Sequence, residues 1–251
     1  MTEEPRFIAP DWPAPARVHA CVSTRHGGFS TGPWASFNLA THVGDDPRTV
    51  ARNRERLRAA LALPAEPQWL EQVHGCEVVE AASGGAPLRA DACWSKAAGV
   101  VCAVLTADCL PVLLCDRAGS TVAAVHCGWR GLAHGVLAAA VRRLPVPAGE
   151  LLAWLGPAIG PGAFEVGAEV RAAFLDRHAD ASVRDAFAPL CDGAARYHAD
   201  LYALARAELA RLGVRRVYGG GWCTHATPEL FWSYRRDGVC GRMASLVWIG
   251  P

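Results

Sequence analysis

Three continuous apolar runs in the middle of the chain, residues 100–105, 112–115 and 121–125, constrain the fold more than any other feature. A strand with one face in water alternates apolar and polar residues. A strand that is apolar at every position needs cover on both faces. The runs are separated by turn-forming segments, Asp108-Cys109-Leu110-Pro111 and residues 116–120, and the last is closed by Gly128. The pattern therefore predicts strands buried inside a layered core.

The flanking sequence supplies the covering layers. Asp46-Pro47 reads as an N-cap followed by proline at the first helical position, opening a helix to about residue 63 with Val50, Leu57 and Leu61 inward. Further helices are expected over 131–144, 169–178 and 200–212, the last ended by Gly213. Strands are expected over 18–23, 69–73, 77–81, 151–155, 231–234 and 243–249, with His74-Gly75 at a bend. No internal repeat or linker interrupts the 251 residues. The expectation is one α+β domain, residues 1–251, around a mixed central sheet.

Charge and composition remove several functions. Formal net charge is +1 and no basic run exceeds a pair such as Arg142-Arg143, so no face can neutralise a nucleic-acid backbone. Lys96 is the only lysine and lies in neither a P-loop nor a Schiff-base context. The first 18 residues carry Glu3, Glu4, Asp11 and four prolines, unlike a signal peptide, and the stretch 97–105 is too short to span a bilayer. A soluble, cytoplasmic protein without membrane partners is expected. Its ten cysteines, with no Cys-x-x-Cys pair, are expected to be free thiols, Cys102 and Cys115 among them as small core residues.

Three metal-capable residues interrupt otherwise apolar strand ends: His74, Cys109 and His126. Cys109 and His126 end or follow adjacent buried runs, so they can lie side by side in a sheet. A thiolate and two imidazoles suit zinc, and three protein ligands leave a fourth position open. Spacing alone leaves the alternative open, since a histidine at a strand end is commonly a hydrogen-bonded structural residue.

Seven collinear segments carry a wider resemblance. They are Thr24-Arg25-His26-Gly27-Gly28-Phe29-Ser30, Ser36-Phe37-Asn38-Leu39, Gln72-Val73-His74-Gly75 and Leu105-Thr106-Ala107-Asp108-Cys109. The others are His126-Cys127-Gly128-Trp129-Arg130-Gly131, Gly156-Pro157-Ala158-Ile159-Gly160 with Phe164-Glu165-Val166-Gly167, and Ser233-Tyr234-Arg235-Arg236-Asp237-Gly238. In these the chain resembles the YfiH-like family, also called the polyphenol oxidase or laccase-domain family and regarded as purine nucleoside phosphorylases. The resemblance implies a sandwich-like α+β fold and a Zn2+ site on His74, Cys109 and His126, which would also be the catalytic residues. It implies phosphorolysis of adenosine, inosine, guanosine and methylthioadenosine, with adenosine deamination as a second activity. Ser95-Lys96, where many relatives carry Thr-Asp, and Cys127 after His126 are small departures.

Purine nucleosides and phosphate are then the expected partners of a monomer or homodimer. Arg25, in a glycine-rich loop, and Arg130, before a helix, are candidates for phosphate. Asn38 is a candidate for ribose or base, with an Asx-turn as the alternative. Arg235 is a candidate to face the site, and Cys223 with His225 to line it. Multicopper chemistry is disfavoured: there is no His-x-His, and Met1 and Met243 are the only methionines. Cu2+ can nevertheless occupy the same donors. The His-x-Glu and Pro-Cys-x-x-Cys signature of zinc nucleobase deaminases is also missing. The competing reading is a thiol hydrolase that edits peptidoglycan precursors, with Cys109 as nucleophile and His126 as base.

Overall fold

The computed structural model describes residues 3–190 and 195–250. The three central runs form strands Val101–Thr106, Leu110–Asp116 and Val122–Cys127, buried at every position. They belong to two sheets. Val101–Thr106 pairs antiparallel with Met243–Ile249, which pairs with Val18–Ser23 in a four-stranded sheet. Leu110–Asp116 and Val122–Cys127 pair antiparallel at the centre of a six-stranded sheet. That second sheet is mixed: Leu151–Leu155 runs parallel to Arg216–Gly219, and Val78–Glu80 parallel to Ala92–Ser95.

Two cores explain the unbroken apolar runs. Leu113, Cys115, Val122 and Ala124 point into a core shared with Val104 and Leu246 of the four-stranded sheet. The intervening Val112, Leu114, Ala123 and Val125 point the other way, into a core with Leu137, Ala140, Leu204 and Leu209 from helices. The order is sheet, sheet, helices, and the six-stranded sheet is the layer covered twice. Burying a Leu or Val side chain on both of its faces contributes about 1.5–3 kcal/mol per residue.

Helix Pro47–Ala60 begins at the expected cap, Asp46 accepting from the Thr49 N–H at 2.8 Å, with Val50 and Leu57 fully buried. The expected helix over 131–144 is instead two, Trp129–His134 and Val136–Arg143. Gly135 separates them in the left-handed region (φ 98°), a conformation glycine adopts without a Cβ clash. The strand expected over 231–234 does not form. Ser233 caps helix Tyr234–Asp237, accepting from Arg236 N–H, while Asp237 accepts from Ser233 N–H. The strands at 69–73 and 77–81 shrink to Leu70–Glu71 and Val78–Glu80, and the helix at 169–178 to Ala168–Leu175.

All nine described cysteines are free, with Cys102 and Cys115 fully buried. The tenth, Cys191, lies outside the described residues. Among the described residues no helix is long and apolar enough to cross a membrane.

Candidate metal centre and its cleft

The chain crosses from one sheet to the other through residues 107–109, between Thr106 and Leu110. Asp108 makes that crossing with a left-handed backbone (φ 90°), which a non-glycine residue adopts at a cost of about 1–3 kcal/mol unless its surroundings hold it there. Its carboxylate supplies the hold. Oδ1 accepts from the Thr224 hydroxyl at 2.6 Å, and Oδ2 accepts from Ser233 Oγ at 3.0 Å and from the Arg235 N–H at 2.7 Å. The result is a fixed position for the next residue, Cys109.

His126 reaches the same place from the neighbouring strand. Pro111 is its register partner and Leu110 pairs with Cys127, so the residue before Leu110 lies beside the end of the His126 strand. His74 comes from the bend between two short strands, also left-handed (φ 60°). The donor atoms of His74, Cys109 and His126 all lie within 4.8 Å of one another, with His74 Nε2 3.8 Å from Cys109 Sγ. The two imidazoles meet edge to face at 4.8 Å between centroids.

Asp91, fully buried, organises both histidines. Its Oδ1 accepts from His126 Nδ1 at 2.8 Å and from the His74 N–H at 2.9 Å, and its Oδ2 accepts from the Gly75 N–H at 2.6 Å. One carboxylate therefore fixes the His126 tautomer, leaving Nε2 as its free donor, and stabilises the strained His74 turn. This is the carboxylate–histidine support common behind metal ligands. Burial opposes the ionised form, yet the hydrogen bonds from His126 and Gly75 outweigh it and hold the Asp91 carboxyl below its usual range. Gln72 braces the same turn, donating to the Leu105 carbonyl at 2.8 Å and accepting from its N–H at 2.7 Å. Gly128 leaves room for the cluster: a Cβ there would lie 2.7 Å from His74 Cδ2 and 3.1 Å from Cys109 Sγ.

The electrostatics favour a thiolate. Burial pushes the Cys109 thiol upward, but His126 and His74 more than reverse this and lower it to about 6. Burial likewise opposes charge on His126, while Cys109 and Asp91 raise it to about 9. A thiolate and two oriented imidazoles form a donor set suited to zinc or copper, and these residues could hold such an ion.

The cluster forms the floor of a cleft of about 460 Å³ whose walls include Gln72, Leu105, Tyr234, Arg130 and Arg242. Of the other expected site residues, Arg130 alone reaches it. Arg25 spends its guanidinium on the Ala35 and Pro228 carbonyls and stacks on Trp232, bracing loops. Asn38 is fully buried, bonded to Ala40, to Asp45 Oδ2 and to the Arg242 N–H; the Asx-turn alternative is the one that forms. Arg235 donates to the Glu165 carbonyl and lies over Phe164. Cys223 accepts from Gly160 N–H in a separate surface pocket beside Trp222, and the His225 carbonyl accepts from Arg236. Asp91, His42 and Arg242 were not singled out by the sequence, and Gln72 and Tyr234 stood in the matching segments without an assigned role. A buried Asp looks like a solvated one until its partners are known.

Residues 19–250 match the family described as multi-copper polyphenol oxidoreductase laccase, and the chain belongs to it. It is 57% identical over 243 residues to a purine nucleoside phosphorylase of Pseudomonas aeruginosa, covering 97% of this chain and 98% of that one. It is 53% identical to the purine nucleoside phosphorylase YfiH of Escherichia coli, covering 97% and 99%. The crystal structure of a Neisseria meningitidis protein superposes with a TM-score of 0.92 at 50% identity, covering 98% of this chain and 99% of that one.

Proposed function

We propose that this chain is a zinc-dependent purine nucleoside phosphorylase, with His74, Cys109 and His126 as metal ligands and catalytic centre. The observation that carries the reading is the cluster itself: three donors and a buried carboxylate brace at the floor of a cleft, in a chain more than half identical to proteins bearing that name. The reaction joins a hydrogen phosphate oxygen to C1′ of the nucleoside as the C1′–N9 bond breaks. The bonding pair leaves with the purine, which ends with the proton that phosphate gave up. His74, Cys109 and His126 would hold the zinc, which would supply a Lewis acid useful both to a departing base and to the water that deaminates adenosine.

The chain's own groups prepare the site. Asp91 holds His126 Nδ1 so that Nε2 faces the cleft floor, and Gln72 fixes the His74 turn. Leu105, Ala107 and the exposed ring of Tyr234 offer an apolar wall for a purine. Adenosine, inosine, guanosine and methylthioadenosine are the substrates of this reading, with adenosine deamination as the side activity. The protein acts as one catalytic domain in the cytoplasm.

A thiol hydrolase reading draws on the Cys109 thiol near 6 beside two imidazoles. Metal analysis separates the two: bound zinc that shields Cys109 from alkylation until a chelator is added excludes a free nucleophile. The direct test incubates the protein with adenosine and phosphate and follows adenine, inosine and ribose 1-phosphate by chromatography. Adenine and ribose 1-phosphate should appear together and be lost in His126→Ala. Absence of both base release and deamination above that control would sink the assignment.

A further inference from the structure

Among the described residues no Asp or Glu lines the cleft above the His-Cys-His cluster, while Arg130, Arg242 and His42 all border it. None of the three is in an ion pair with a described carboxylate. Arg242 uses Nη1 on the carbonyls of Cys240 and Gly241 at 2.9 and 3.0 Å. Its Nε and Nη2 have no acceptor among the described residues. Its backbone is fixed by the buried Asn38, which accepts from its N–H, and Tyr234 lies beneath its guanidinium at 5.7 Å. Arg130 rests on its neighbour Trp129, and its guanidinium has no acceptor among the described residues. Burial, then Arg242 and Arg54, push the His42 imidazole below its usual value, as expected in a positive field.

Guanidinium N–H groups left without an acceptor among the described residues, in a cleft with no competing carboxylate, are complementary to a compact, multiply charged oxyanion.

We propose that Arg130, Arg242 and His42 form a phosphate subsite in the wall of this cleft, and that its occupant is inorganic phosphate. The choice of inorganic phosphate rests on the phosphorylase reading; the oxyanion specificity rests on the side chains alone. The subsite replaces the role expected of Arg25, whose donors are spent on backbone carbonyls. Sharing one cleft with the metal-capable cluster brings the nucleophile and the nucleoside within a single cavity.

The test is calorimetric titration of the full-length, metal-loaded protein with inorganic phosphate, for the wild type and for Arg130→Gln, Arg242→Gln and the double variant. Each single substitution should weaken phosphate binding about tenfold, the loss of a charge-assisted hydrogen bond, and the double variant more. The KM for phosphate should rise in parallel while the KM for adenosine holds. Arg242 also braces its own loop, so Arg130→Gln, on an exposed side chain, keeps the test informative if Arg242→Gln unfolds. Wild-type affinity in the Arg130→Gln and double variants overturns the proposal, as does a wild type that binds no inorganic phosphate. Adenosine 5′-monophosphate that binds more tightly than inorganic phosphate, with the same dependence on Arg242, also overturns it by making the occupant a nucleotide. Arginine-dependent phosphate binding without phosphorolysis supports the subsite while refuting the phosphorylase reading.

Discussion

At the scale of single residues, Asp91 is the group on which the proposed centre depends most. Its carboxylate serves His126 through the side chain and His74 through the backbone, so one substitution loosens two ligands. Asp91→Asn keeps the volume but turns part of an acceptor-only group into a donor facing N–H groups. Metal affinity should fall about 10–100-fold, the usual effect of losing a ligand's supporting partner, measured by competition with a chromogenic chelator. An unchanged affinity would mean that the carboxylate only braces the fold. The cysteine chemistry gives a pH prediction. Thiolate, the reactive form, accumulates as pH rises through the thiol's pKa. In chelator-treated protein, Cys109 should therefore alkylate with a midpoint near 6, whereas burial pushes Cys21 and Cys115 to about 12 and keeps them inert. Mass spectrometry of iodoacetamide-treated protein across pH checks it; a Cys109 midpoint near the ordinary thiol value of about 8.5 would remove the imidazole influence. The three clustered donors stood out in the sequence as metal-capable residues at the ends of apolar runs, while the family resemblance rather than the spacing joined them into one set. Asp91 and Arg242 did not stand out: the partners of the Asp91 carboxylate lie between 16 and 35 positions away, and Asn38, which holds the Arg242 backbone, lies 204 positions away.

At the scale of elements, periodicity located the strongest structures and missed those governed by local backbone geometry. The central runs and the Asp46-capped helix were legible because every residue in them reports the same environment. The region 131–144 has a continuous helical pattern, yet Gly135 breaks it, and the sequence around one glycine does not say which hand it adopts. Gly135→Ala tests that account. The position is left-handed, and an added Cβ would lie 2.0 Å from Arg177 Nη1. The arginine can move aside, but the backbone cannot relax as readily, so a loss of about 1–3 kcal/mol is expected in urea unfolding. A gain in stability would indicate that a single continuous helix is accessible. Residues 231–234 were misread for a related reason: apolar Phe231 and Trp232 suggest a strand, while Ser233 and Asp237 supply the cap that starts a helix. That cap matters to the site, because Ser233 and the Arg235 N–H are what Asp108 grips.

At the scale of the whole molecule, the two-core architecture places the cluster. The four- and six-stranded sheets share a core, and one of the chain's passages between them runs through residues 107–109. Cys109 lies on that passage, His126 on the adjacent strand, and His74 on a bend tied down by a carboxylate from a third segment. Segments widely separated in sequence thus converge where side chains no longer need to fill a core, leaving a cleft with charged walls. Runs needing two-sided cover implied a layered core around one mixed sheet, but their division between two sheets was not legible, since a run buried by a second sheet and one buried by helices have the same composition. The central claim is that His74, Cys109 and His126 together hold one metal ion. Elemental analysis of purified protein after exhaustive dialysis tests it most directly, comparing the wild type with Cys109→Ala and with His74→Ala. The account predicts zinc close to one ion per chain in the wild type and little in either variant, with all three folded. Zinc absent from the wild type after incubation with the metal, or retained in full by both variants, would contradict it.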